Sequence, residues 1–213
     1  MVQIKHKSTG KILLKAKNES IRGCTLSGHD LTGADFSDQD LSGCKFTGCN
    51  LCDADFSGAT LDQCKIDNSV LKRADFSNAN LINADLSDNV LDVADFSCCI
   101  AEGTLFRHSK INGANMNKGN FRKADFFFAE LRSDFNSACL AEANLFGADL
   151  TQADFTKADL RKANMTDAKI ARAIFAYAKM EGCIGTNGRP WGFTVKGKVE
   201  KKPWWKVWDN AAL

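Results

Sequence analysis

Large apolar residues recur at every fifth position through most of the chain. The series runs in steps of five from Ile21 to Phe96 and, after one small residue at Ala101, from Phe106 to Leu131. It then slips by one residue and resumes from Phe135 to Met180. Of its 33 positions, 32 hold a large apolar side chain, a regularity that composition alone does not produce. Two residues before each sits a small one, such as Ala34, Ala54, Ala74, Ala94 and every site from Ala138 to Ala178, with mostly Asp or Asn in between. A period of five fits neither a helix nor a regular strand. Two inward residues spaced by two do describe a short extended step whose middle residue points outward. The remaining two residues, often Ser, Gly, Asn or Lys, turn the chain before the next step.

A longer period sets the number of steps per circuit. Phe36, Phe56, Phe76 and Phe96 recur at intervals of 20, each inside Ala-Asp-Phe-Ser. Met116, Phe135, Phe155 and Phe175 continue the series with one interval of 19, and Cys24, Cys44 and Cys64 form a second ladder at 20. Four pentapeptides therefore make one coil. The spacing predicts a four-sided solenoid of about eight coils, a rod about 40 Å long at roughly 4.8 Å per coil. The deletion between Leu131 and Phe135 is expected to kink the coil or remove a turn residue. Ala101, with outward Ile100 and Leu105 beside it, is expected to weaken the packing in mid-rod.

The A(D/N)(L/F)xx pattern over residues 21–181 resembles the pentapeptide-repeat family. The resemblance implies an all-β fold, a right-handed quadrilateral β-helix that is often dimeric. It implies little about function, because members of the family are diverse.

The ends break the pattern. Residues 2–7 and 11–16 alternate around Ser8-Thr9-Gly10, a hairpin signal, so residues 1–20 are assigned as an N-terminal hairpin cap. It resembles the N-terminal hairpins of some bacterial family members. Residues 182–213 form a C-terminal tail that holds all four tryptophans, Trp191, Trp204, Trp205 and Trp208. The tail either plugs the end of the coil or binds another chain.

Composition adds three points. No apolar run approaches the ~20 residues of a membrane span, and no apolar segment follows the basic start, so a cytoplasmic protein without a membrane partner is expected. The nine cysteines, odd in number and irregularly spaced, read as reduced thiols. The formal charge of +2 conceals an acidic body, net −6 over residues 21–181, between ends of +4 each. Within the body, residues 21–100 carry −8 and residues 101–181 carry +2.

No His lies in a context suggesting a base beside a nucleophile, so no catalytic residue and no cofactor is expected. Cys24, His29, Cys44, Cys49 and Cys64 occupy small-residue positions in the first coils. They are either a zinc-binding set or Cys in place of Ala as a small buried residue. Asp35, Asp55, Asp75 and Asp95 form an acidic stripe. Because some family members mimic duplex DNA and bind DNA gyrase, the resemblance makes a type II topoisomerase modulator the alternative function. The stripe's half of the rod carries roughly 0.4 charges per Å, against ~0.6 for B-DNA, and the other half is not acidic. Nucleic acid is not an expected partner, since Lys201, Lys202 and Lys206 form only a short basic cluster.

Outward apolar residues are rarer in this pattern. Val70 and Val90 occupy the Asp/Asn slot one coil apart, and Phe127 and Phe146 are expected to stack in adjacent coils near Phe128 and Leu105. They are either covered by the tail or form a surface for a dimer or another partner. The leading expectation is a non-enzymatic interaction or scaffold module whose partner the sequence leaves open.

Overall fold

The computed structural model describes residues 2–16 and 20–192. Its regular unit is the five-residue step. In the unit around Phe36 the Phe36 amide donates to Asp55 O at 2.8 Å, one coil on. The Phe36 carbonyl then accepts from Gln39 N at 3.1 Å and closes a four-residue turn. The third residue of that turn, Asp38, has φ of +55°. A left-handed third residue is the mark of a type II turn, and such a left-handed corner residue recurs every five residues along the rod except at the slip near Ser133.

Stacking of these steps gives four parallel ladders at intervals of 20 residues. One runs Asp35, Asp55, Asp75, Asp95, Asn115, Asp134, Asp154, Ile174, and the next runs Asp40, Thr60, Asn80, Ile100, Asn120, Cys139, Asp159, Lys179. The third begins with strands β3 (Thr25–Ser27), β4 (Lys45–Thr47) and β5 (Lys65–Asp67) and continues through Asp85, Leu105, Asp125, Asn144 and Asn164 to Ile184. The fourth runs Asp30, Asn50, Val70, Val90, Lys110, Glu130, Asp149, Lys169. Ile184 lies three residues beyond the expected end of the coil, and Cys183 beside it is fully buried.

Inside, Phe36, Phe56, Phe76 and Phe96 stack face to face with ring centroids 4.8–4.9 Å apart. After Met116 the column resumes with Phe135, Phe155 and Phe175 at 4.9 and 5.1 Å. The coil-to-coil spacing of a parallel ladder is thus also the stacking distance of an aromatic ring, so backbone and core repeat in register.

The two irregular places have local solutions. At the slip, Ser133 N donates to Leu131 O at 2.9 Å, a tighter turn without the left-handed residue. The ladder passes through uninterrupted from Asn115 to Asp134 to Asp154. The inward Ser133 hydroxyl accepts from Ala114 N at 3.2 Å and donates to Ile111 O. At Ala101, which is fully buried, the next residue in the column is the larger Phe121. Its ring lies where a β-carbon on Gly119 would sit, 2.5 Å from that position. The absent side chain of Gly119 makes room for the Phe121 ring.

The ends are closed differently. Strands β1 (Val2–Lys5) and β2 (Ile12–Ala16) pair antiparallel, and β1 lies against the first coil. Asp35 N donates to Lys5 O at 2.7 Å, Lys7 N donates to Gly33 O at 2.8 Å, and Ile4 is buried in the core. The hairpin therefore covers the start of the Asp35 ladder, an edge that would otherwise template further pairing. At the other end the chain folds back so that Trp191 N donates to Cys183 O at 2.7 Å and the Trp191 ring lies 5.6 Å from Phe175.

Candidate functional site

The acidic stripe is built into the turns. One oxygen of Asp35, Asp55, Asp75 and Asp95 accepts from the amide of the Ser two residues on, at 3.1, 2.9, 2.8 and 2.8 Å. The repeat uses Asp or Asn here because a short acceptor side chain ties down the turn that follows. Asp30 and Asp40 show the effect on charge. Hydrogen bonds from Thr32 and Ser42, respectively, hold their carboxyls below the ordinary value.

The thiols of the first coils point at carbonyls rather than at one another as a ligand set. Cys44 Sγ donates to Ile21 O at 3.0 Å, Cys64 Sγ to Leu41 O at 2.9 Å, and Cys49 Sγ approaches Leu26 O at 3.6 Å. Cys24 is half-buried, and His29, on the first coil, is exposed. Among the described residues no group of three or more His, Cys, Asp or Glu side chains is placed to hold a metal ion. Cys49 and Cys52 have the Cys-x-x-Cys spacing, a pattern the sequence reading missed. The extended step through Asn50 and Leu51 separates them, so that Cys49 is buried and Cys52 lies half-exposed in the following turn.

A buried polar column, also missed, continues from Cys49. Cys49 N donates to Ser69 Oγ at 3.0 Å, and Ser69 N donates to Asn89 Oδ1 at 2.8 Å. Asn89 Nδ2 donates to Ile66 O at 2.6 Å. These side chains satisfy amides and carbonyls inside the coil, and their 20-residue spacing was the signal that could have found them.

The outward apolar residues fall into two groups. Val70 and Val90 bridge directly in the Asp30 ladder. Leu105 lies half-buried between Asp85 and Asp125. At the corner between the third and fourth ladders, four aromatic rings come together. Phe127 and Phe146 stack at 5.6 Å with an interplanar angle of 17°. Phe128 meets Phe127 edge-on at 4.6 Å and Phe146 at 5.8 Å. His108, one coil before Phe128 in the same column, joins at 5.6 and 6.1 Å from the rings of Phe127 and Phe128. Phe128 is 49% exposed and has φ of +51°, a conformation unfavourable for a bulky side chain. Trp204, Trp205 and Trp208 lie outside the described residues.

The arrangement offers rings and dipoles at a surface. Among the described residues no helix is long and apolar enough to cross a membrane.

Comparison with known proteins gives a consistent family. A pentapeptide repeat region model matches residues 39–116, and a pentapeptide repeats (8 copies) model matches residues 138–175 and 148–184. Among solved structures, two trypsin-treated substitution variants of QnrB1, a plasmid-mediated fluoroquinolone resistance protein, are each 21% identical to this chain. One gives a TM-score of 0.57 and covers 81% of this chain and 86% of its own. The other gives 0.53 over 81% and 88%. HetL, a pentapeptide repeat protein involved in heterocyst differentiation regulation in the cyanobacterium Nostoc, is 23% identical over 81% and 93%, with a TM-score of 0.40. No curated protein matches the chain.

Proposed function

Since this chain belongs to the pentapeptide-repeat family, we propose that it acts without catalysis, as a rigid rod that presents an aromatic corner to a protein partner. The observation that carries this reading is Phe128. The left-handed corner accepts many side chains along this rod, among them Arg73, Val93, Lys118 and Tyr177, so the gathering of rings, not the backbone, sets Phe128 apart. Here a half-exposed Phe stands against the rings of Phe127, Phe146 and His108. Rigid, partly exposed aromatics are the residue types that dominate protein interfaces. The test is capture from host extract by the full-length protein and by a Phe127→Ser/Phe146→Ser variant. Retention of a partner by the first and its loss from the second, with equal melting temperatures, supports the reading; equal retention rejects it.

A second reading, modulation of a gyrase-type topoisomerase, draws on the Asp35 ladder. It is the weaker of the two, because the acidic surface is confined to residues 21–100. Unaltered supercoiling at micromolar protein would eliminate it.

A further inference from the structure

The Asp40 ladder and its two flanking corners carry an unusual distribution of charge. Its eight members, from Asp40 to Lys179, divide equally into two halves. In the first half, residues 37–43, 57–63, 77–83 and 97–103, the only charged residues are Asp38, Asp40, Asp62 and Glu102. In the second half, residues 117–123, 136–142, 156–162 and 176–182, seven Lys or Arg stand against three Asp or Glu. One end of the face is therefore −4 and the other +4. The charges at the two ends are equal and opposite, so the face complements itself when it is turned end for end.

We propose that this face binds the same face of a second copy of this chain, with the two rods antiparallel. The two-fold axis would lie in the interface, across the rods, between the coils of Ile100 and Asn120. Such an operation keeps each column of residues opposite itself and inverts its order along the rod. Asp40 then meets Lys179, Asp62 meets Arg161, and Glu102 meets Arg122, while Asp38 meets the phenol of Tyr177. Every acidic residue of the first half finds a cation or a hydroxyl donor, and no two like charges fall opposite each other. Tyr177 is 84% exposed, and Ile100 is 45% exposed. Ile100 lies half a coil from the axis, where the two copies of this side chain come together at the centre of the interface.

The size of the face sets the strength. Eight coils at about 4.8 Å give a length of roughly 38 Å, and a side about 12 Å wide makes roughly 1,000 Å² in total for the pair. That is the lower limit for a specific interface, so the dimer is weak, and its electrostatic part is screened by salt. Within one chain Asp40 already meets Arg22 of the preceding coil at 3.6 Å, and Arg122 and Arg161 pair with Glu142 at 2.8 Å and Asp159 at 2.6 Å. These bonds hold the guanidinium groups in place on the surface, where a second carboxylate can share them. The aromatic corner lies outside this face, so the dimer would leave it free on both rods.

Sedimentation of the full-length protein from 1 to 200 µM, in 50 mM and 500 mM NaCl, tests the proposal. Dimer is expected at low salt, with association at least tenfold weaker at high salt. Arg122→Glu/Arg161→Glu and Asp62→Arg/Glu102→Arg, each checked for an unchanged circular dichroism spectrum, should each lose self-association at least tenfold. A 1:1 mixture of the two variants should regain it, because every reversed charge then meets its opposite. A protein that is monomeric at 200 µM and low salt would overturn the proposal. Dimers unaffected by the reversals, or a mixture that fails to associate, would do so equally. None of these substitutions touches the aromatic corner, so failure here leaves the partner reading to its own test.

Discussion

The ring of Phe128 lies over Gly147, one coil further along the same corner, with its Cε1 atom 2.7 Å from where a β-carbon on Gly147 would sit. Gly147 itself has φ of +66°. The aromatic cover requires glycine here, since the left-handed corner alone accepts other residues, Phe128 among them. Gly147→Ala should displace the Phe128 ring and destabilise the rod by about 1–3 kcal/mol. Aromatic proton shifts of Phe127, Phe128 and Phe146 would register the displacement, and urea unfolding would register the loss. Unchanged ring shifts would mean that the corner is not packed as described.

Asn89 is the hinge of the buried polar column, since it accepts from Ser69 N and donates to Ile66 O. Asn89→Ala leaves a buried amide and a buried carbonyl unpaired and opens a small cavity, so unfolding should become easier by about 2–4 kcal/mol. A loss below about 0.5 kcal/mol in urea titration would show that these groups find other partners.

Several thiols are raised in the folded protein. Burial pushes Cys183 up to about 12 and also raises Cys99. Cys64 is raised first by the neighbouring Cys44 thiol and then by burial. The contribution of such groups to stability is complete below the unfolded thiol value of about 8.5 and is lost as pH rises through the folded value. The melting temperature should therefore hold near neutrality and fall between about pH 8.5 and 12. At about pH 8, a thiol reagent should modify exposed Cys98 first and reach Cys64, Cys99 and Cys183 only on unfolding. Rapid modification of the buried three in the folded protein would contradict this placement.

Much of the architecture is legible because inward and outward positions follow one period. The spacing of Phe36, Phe56, Phe76 and Phe96 placed four ladders around each coil, and the interval of 19 located the shortened turn at Ser133. Positions at the ends are less legible, because a repeat reports burial only where a coil lies on both sides. His29 has no preceding coil to cover it and is exposed. Ile170, Ala173 and Ala178 in the last coil are only half-buried. Ala101 marks a small residue in its column, but the placement of the Phe121 ring over Gly119 one coil on depends on packing that the period alone does not report. Phe128 was noted as close to Phe127 and Phe146, but its left-handed backbone and its fit over Gly147 depend on corner geometry, which residue types alone do not specify. His108 could have been found by counting back 20 residues from Phe128.

Hydroxyl-radical footprinting of the rod, alone and bound to the partner it captures, tests the docking role of the aromatic corner most directly. Alone, Phe128 and the more exposed Tyr177 should both be modified readily. With partner bound, modification of Phe128 should fall several-fold, while Tyr177, at a different corner, stays at its level in the rod alone at the same protein concentration. Phe128 modified equally in the bound and free rod would contradict the account.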